Sequence, residues 1–150
     1  MNFTPIDPNF ESRVRASFDR QSAMKTLGIE IKELKAGWIE LLMPYHEAYS
    51  QQHGFVHAGI IATALDSACG YAAFSLMPND AAVLTVEFKI NLLAPAAGDS
   101  FVFRAHVVKA GRTITVCEGQ AFAMKNQASK LIATMTGTMM ALFQRGDIKH

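Results

Sequence analysis

The second half of the chain alternates between apolar and polar residues. Leu84, Val86, Phe88, Ile90 and Leu92 interleave with Thr85, Glu87, Lys89 and Asn91, and Phe101, Phe103, Ala105 and Val107 interleave with Arg104 and His106. A period of two puts one set of side chains on each face of an extended strand, which predicts strands over residues 83–93 and 100–108. Residues 113–124 are rich in β-branched side chains, and residues 130–143 set Leu131, Ala133, Met135 and Met139 against Thr134, Thr136 and Thr138. These predict two more strands. The joints at residues 95–99, 110–112 and 125–127 carry the Pro, Gly, Asp and Asn that turns favour. Short connections of this kind predict antiparallel neighbours.

The first half follows other periods. Residues 8–27 read as one or two short amphipathic helices, with Pro8 suited to a first helical turn and Gly28 to a stop. Residues 29–34 and 38–43 predict a hairpin around Lys35-Ala36-Gly37, with Ile39, Leu41 and Met43 on one face and Glu40 on the other. Residues 44–55, with Tyr45, His46, Gln51, Gln52 and His53, form a polar loop. Residues 58–77 are the most apolar stretch, and Ile60, Ile61, Leu65, Cys69, Tyr71 and Phe74 point all round a helix, which must then be covered on most sides. A helix apolar on every side, beside one long antiparallel sheet, has a simple solution: the sheet curls around the helix. The expected class is α+β, a long central helix wrapped by a curved antiparallel sheet of about five or six strands. A helical segment over residues 1–28 precedes a single domain over residues 29–145.

Composition narrows the functional classes. A chain of 150 residues, half of them apolar, is long enough for one domain with its own core. A net charge of +1, with Lys and Arg scattered, gives no electrostatic footprint for nucleic acid. The first residues lack a basic stretch followed by an apolar run, so no signal peptide is expected. Asp66 and the many small residues around it argue against a membrane helix over residues 59–77. The expected location is cytoplasmic. Cys69 and Cys117, both in apolar surroundings, are then expected to be buried thiols rather than a pair.

The candidate chemistry lies between Gln51 and Gly70. Asp66 is the only charged side chain in residues 59–77. A carboxylate in so apolar a helix loses hydration, so its pKa should rise and suit it to work as a general base near neutral pH. The alternative is an Asp at the helix rim, reaching water or a Lys. Gly54, Ala58 and Gly59 bracket His57 where this helix opens, and the backbone N–H groups there favour negative charge, including a developing oxyanion. Taken alone, the glycines could equally serve only a tight start to the helix. His46, His53 and His57 lack an accompanying acidic or thiol ligand, so no metal is expected. Ser67 adjoins Asp66 and cannot form a triad with it, Cys69 has no basic neighbour, and no phosphate-binding or dinucleotide fingerprint is present.

The run Gln51-Gln52-His53-Gly54-Phe55-Val56-His57-Ala58-Gly59, followed by Ala64-Leu65-Asp66-Ser67-Ala68, resembles the signature of the PaaI-like hotdog thioesterases of the phenylacetate-pathway type. That signature is an amide side chain, a Gly, a His-Gly-Gly step opening a helix, and an Asp seven residues after the last Gly. Asn91-Leu92-Leu93-Ala94-Pro95-Ala96 with Gly98-Asp99 resembles the family's strand end and turn. Lys109-Ala110-Gly111-Arg112 resembles its coenzyme A contact turn, and residues 133–138 its last strand. The resemblance spans about residues 25–143.

It implies the hotdog fold, with protomers pairing their sheets into a homodimer or homotetramer and sites at the subunit interface. The implied activity is hydrolysis of acyl-coenzyme A to free acid and coenzyme A, without metal or bound cofactor. Asp66 would act as general base or nucleophile, and the Ala58 backbone N–H would polarise the thioester carbonyl. Gln51, or Gln52 in its place, would orient carbonyl or water, and Thr85 would position water. His57 and Gly59 would meet the substrate at the helix opening, and Gly111 and Arg112 would lie near the nucleotide. Ala58 replaces the first Gly of the usual step and Gln51 replaces the commoner Asn. An enoyl-coenzyme A hydratase or dehydratase using His57, and a non-catalytic acyl-coenzyme A binding protein, are the alternatives on the same fold. Phe55, Tyr71, Phe74, Met77 and Phe88 are read as core, with the lining of an acyl pocket as the other reading.

Overall fold

A computed structural model describes residues 3–143; residues 144–145, the end of the expected domain, lie outside them. Helices α1 (Phe10–Arg20) and α2 (Ser22–Leu27) lead into strands β1 (Glu30–Lys35) and β2 (Trp38–Pro44). A loop with one 3-10 turn then reaches helix α3 (Ala58–Phe74). Strands β3 (Ala81–Leu92), β4 (Ser100–Ala110), β5 (Ile114–Lys125) and β6 (Ala128–Phe143) complete the chain. All six strands form one antiparallel sheet in the order β1-β2-β4-β5-β6-β3, with α3 packed on it: the hotdog fold.

The sheet approaches α3 closely because small residues face each other. Ala64, Ala68, Cys69, Ala72 and Ala73 of α3 are fully buried. Opposite them, a Cβ on Gly119 would come within 3.1 Å of Leu65 and 3.2 Å of the Cys69 sulfur. From the sheet, Phe101, Phe103, Ala105 and Val107 of β4 and Ile39, Leu41 and Met43 of β2 fill the same core. Val14, Phe18, Met24 and Leu27 of the two N-terminal helices join it. Cys69 and Cys117 are buried free thiols, as expected, and burial pushes both thiols up, Cys117 to about 12.

Three expectations need correction. The first helix starts at Phe10 rather than at Pro8, because the Asp7 side chain accepts from the Asn9 N–H (2.9 Å) and holds Pro8 and Asn9 in a turn. The long helix ends at Phe74, short of Met77, where the Ser75 hydroxyl donates to the Ala72 carbonyl and accepts from the Gly37 N–H (2.7 Å each). The third correction is topological: β3 does not pair with β4 but lies at the far edge, beyond β6. Seven extended residues reach up to about 23 Å, more than the roughly 14 Å of three strand spacings. Residues 93–99 use that reach to cross the end of the sheet. Their backbone groups are satisfied on the way by Ile132, Val56 and Met124.

Strand β3 departs from simple alternation as well. Its pairing with β6 slips between Thr85 and Glu87, so Val86 is an extra, bulged residue. Thr85 lies opposite buried Met139 on the helix side, and beyond the bulge Phe88, Ile90 and Leu92 lie on that side, opposite Gly137, Met135 and Ala133. The single apolar face expected for Leu84, Val86, Phe88, Ile90 and Leu92 is therefore split, and Thr85 does not share the polar face. Leu84 (45%), Val86 (54%), Phe88 (43%) and Leu92 (56%) are left exposed along a free sheet edge.

Candidate active site

The helix opening is built by a tight loop. Gln51 accepts at its carbonyl from the Gly54 N–H (2.9 Å) and donates its own N–H to the Phe55 carbonyl (2.8 Å). Gly54 sits at φ +80°, a backbone state that glycine adopts without strain. The Gln51 side-chain oxygen accepts from the His53 N–H, so in the free chain its amide braces this turn. His57 then caps α3: its Nδ1 accepts from the Gly59 N–H (2.9 Å), which leaves its other ring nitrogen to carry the proton when the ring is neutral. The Ile60 N–H bonds the His57 carbonyl (2.9 Å). Of these first three amides, that of Ala58 has no acceptor among the described residues. Ala58 borders a cavity of about 640 Å³ whose walls also include Gln51, Gln52, Phe55, Val56, His57, Ile61, Leu92, Leu93 and Ile132.

Asp66 lies two turns further along α3. It is half-buried, and burial raises its pKa above the usual carboxylate value, while a hydrogen bond from the Thr85 hydroxyl (2.8 Å) pulls the other way. Thr85 reaches it because the β3 bulge turns that residue toward the helix. The two share a smaller recess, of about 210 Å³, with Gln21, Ser67, Gly70, Tyr71, Val83 and Leu84. The Ser67 hydroxyl lies 3.5 Å from the Gln21 side-chain oxygen.

Gly111 and Arg112 occupy a third place. They form the β4–β5 turn and border a cavity of about 470 Å³ with Phe3, Ile6, Met77, Pro78 and Phe143, at the opposite end of α3 from Ala58. A Cβ on Gly111 would overlap the Ile114 carbonyl, so the turn itself demands glycine.

Within one chain, then, the structure brings Asp66 to Thr85, and Gln51, Gln52 and His57 to Ala58, with Gly59 at the same helix opening. It keeps the two groups apart and holds Gly111 and Arg112 apart from both. Two residues read as core are not core: Phe55 is half-buried in the first cavity wall and Phe88 is exposed. Tyr71, Phe74 and Met77 are buried as expected, although Tyr71 also borders the Asp66 recess. Gln21 and Gly70 were not singled out by their sequence context. Gln21 joins two short helices, and Gly70 looks like one more small residue in an apolar helix. Among the described residues no group of three His, Cys, Asp or Glu side chains is placed to hold a metal ion, and no helix is long and apolar enough to cross a membrane.

The site thus offers one carboxylate of raised pKa and one helix-opening amide on a hotdog sheet and helix, groups suited to hydrolysis at a carbonyl. Comparison with known proteins agrees. The model of the thioesterase superfamily matches residues 53–129. A provisionally named esterase of Halobacterium salinarum is 34% identical over 110 residues, covering 70% of this chain and 72% of its own. A crystal structure of a thioesterase family protein from Silicibacter pomeroyi is 59% identical and superposes with a TM-score of 0.89, over 89% of this chain and 98% of that one. The PaaI protein of E. coli, from the phenylacetic acid degradation operon, shares the fold at 24% identity and a TM-score of 0.80, over 89% of this chain and 94% of its own. The chain belongs to the thioesterase superfamily, as a PaaI-like hotdog protein whose reaction is thioester hydrolysis.

Proposed function

We propose that the protein hydrolyses acyl-coenzyme A thioesters to free acid and coenzyme A, with Asp66 as its base and no metal or bound cofactor. The observation that carries this reading is the Asp66–Thr85 pair. A carboxylate with a raised pKa is held by one hydroxyl in a recess that Gln21, Ser67 and Tyr71 also border. Asp66 takes a proton from water as the water oxygen attacks the thioester carbonyl carbon. The Ala58 N–H stabilises the tetrahedral oxyanion. Collapse breaks the C–S bond, and the proton held by Asp66 passes to the leaving thiolate. Direct attack by the carboxylate, followed by hydrolysis of the anhydride, uses the same groups.

One chain does not supply the whole site. Ala58 and Asp66 are eight residues apart on one helix, which places them about 12 Å apart along its axis and about 80° apart around it. Both cannot reach one carbonyl. The free β3 edge supports the remedy. A long, apolar, unpaired edge strand invites pairing with a second copy, and antiparallel β3–β3 pairing joins two sheets into one. Each site would then take Asp66 and Thr85 from one protomer and Ala58, with Gln51 and His57, from the other. Arg112 at its glycine turn suits the nucleotide phosphates of coenzyme A.

Thiol release from a panel of acyl-coenzyme A esters tests the assignment. Asp66→Asn should fold and lose about 10²–10⁴-fold in kcat, the usual weight of general-base catalysis. Turnover near that of the unaltered protein would remove Asp66 from the mechanism. Hydration of crotonyl-coenzyme A without thiol release would instead favour a hydratase, and tight binding without either reaction a non-catalytic acyl carrier or sensor.

A further inference from the structure

Gly70 lies in the interior of α3, where glycine is among the least favourable residues. Nothing in the described chain explains it. Its φ is not positive, and a Cβ built on it would meet no heavy atom within 4 Å. Gly119 and Gly137 differ in this respect, because a Cβ there would crowd Leu65, Cys69 or Met139. Gly70 is four residues after Asp66, hence one turn along the same helix face, and it borders the same recess. The missing side chain therefore leaves space beside the carboxylate rather than room for packing.

We infer that Gly70 sets the size of the acyl group this enzyme accepts, and that the recess it opens holds that group. The inference rests on the thioesterase reading above. Two arms leave the thioester carbonyl next to Asp66. The coenzyme A arm must lead out to a nucleotide, which a recess of about 210 Å³ bordered by Gln21, Ser67 and Tyr71 is too small to contain. The acyl arm has no such requirement. A cavity of about 150 Å³ is enough for a benzene ring, so this recess has room for one aromatic ring or a short aliphatic chain. Val83 and Tyr71 supply apolar walls. The Gln21 side-chain nitrogen, which has no hydrogen-bond acceptor among the described residues, offers one donor to a polar substituent on the acyl group.

The test compares the unaltered protein with Gly70→Ala and Gly70→Leu on acetyl-, hexanoyl-, benzoyl- and palmitoyl-coenzyme A, with thermal melting and oligomeric mass measured alongside. Hexanoyl or benzoyl esters should be preferred over palmitoyl. Gly70→Ala should melt higher than the unaltered protein, because alanine favours a helix and meets no neighbour. Gly70→Leu should lower kcat/KM for the benzoyl ester about tenfold or more, the leverage of a few methylenes in an apolar pocket, and lower it by a clearly smaller factor for the acetyl ester. Parallel loss on every ester, a preference for palmitoyl, a lower melting temperature for Gly70→Ala, or a changed oligomeric mass would each overturn the inference. A protein that releases no thiol from any ester fails at the earlier step, in the unaltered chain, and removes the basis of this inference with it.

Discussion

At the scale of single residues, the proposed chemistry turns on one hydrogen bond. The Thr85 hydroxyl donates to Asp66 and opposes the effect of burial, so the carboxylate titrates above its ordinary value but lower than burial alone would put it. Replacing Thr85 by Val removes the donor and keeps the shape. The acid limb of the pH profile for kcat/KM should then move to higher pH, and Thr85→Ser should restore it. An unmoved limb would show that Thr85 does not tune Asp66. The same raised pKa has a sign for stability. The folded chain binds the proton more tightly than the unfolded one, so this site disfavours folding as pH rises through the folded pKa and has no effect below the unfolded value of 3.8. Asp66→Asn should therefore melt above the unaltered protein at neutral pH, and the gap should close as pH falls toward 3.8. Asp66 could be read from the sequence because it is the one charge in an apolar helix. Gln21 and Gly70 could not, since their significance is the recess they share with it, and a recess has no sequence period.

At the scale of elements, α3 must be held at both ends for the site to keep its geometry. His57 and Gly59 fix the opening, and Arg13 fixes the close. From α1, its guanidinium donates to the Phe74 carbonyl (3.3 Å) and the Met77 carbonyl (2.7 Å), pairs with Asp7 (2.8 Å) and stacks 4.2 Å over the Phe74 ring. A cation at these carbonyls also suits the negative end of the helix dipole. Arg13→Met keeps the apolar stem and loses the donors, and it should destabilise the fold by roughly 2–3 kcal/mol, the scale of hydrogen bonds from a charged group. Denaturant unfolding measures this, and a loss below about 0.5 kcal/mol, the size of an ordinary surface change, would show that α1 does not tie down the helix. The sequence showed the existence and type of the elements well, because the buried residues of β2 and β4 alternate cleanly and α3 is apolar all round, although a bulge at Ile132 takes Leu131 off the face of Ala133, Met135 and Met139 in β6. It misled on β3. Leu84, Val86, Phe88, Ile90 and Leu92 form an unbroken period of two in sequence, but the bulge at Val86 breaks it in space. A bulge adds one residue without leaving a compositional mark, and it is what turns Thr85 toward Asp66. The position of β3 at the sheet edge was equally hidden, because a seven-residue link can join neighbours or cross over two strands.

At the scale of the whole molecule, the proposed mechanism, with Ala58 and Asp66 well apart along one helix, requires that an intact site draw on two chains. That can be tested without a structure of the assembly. Ala58→Pro removes the helix-opening N–H and should leave the fold intact. Ala58 is the first helical residue, where proline is favoured, and the preceding His57 already has the extended backbone (ψ 138°) that proline requires. The variant should lose about 10²–10³-fold in kcat, as expected for one oxyanion donor, with its melting temperature unchanged. Mixed with Asp66→Asn under conditions that exchange subunits, it should regain activity. A heterodimer holds one site with the Asp66 of the first variant and the Ala58 amide of the second, and another site lacking both. Full exchange of equal amounts makes half of the dimers mixed, so about one quarter of the sites, and of the unaltered protein's activity, should return. If each chain carried a complete site, no mixture of two dead variants would regain activity. Exchange followed by mass without any recovery would therefore reject the two-chain site, and recovery would assign Asp66 and Ala58 to opposite sides of the same thioester.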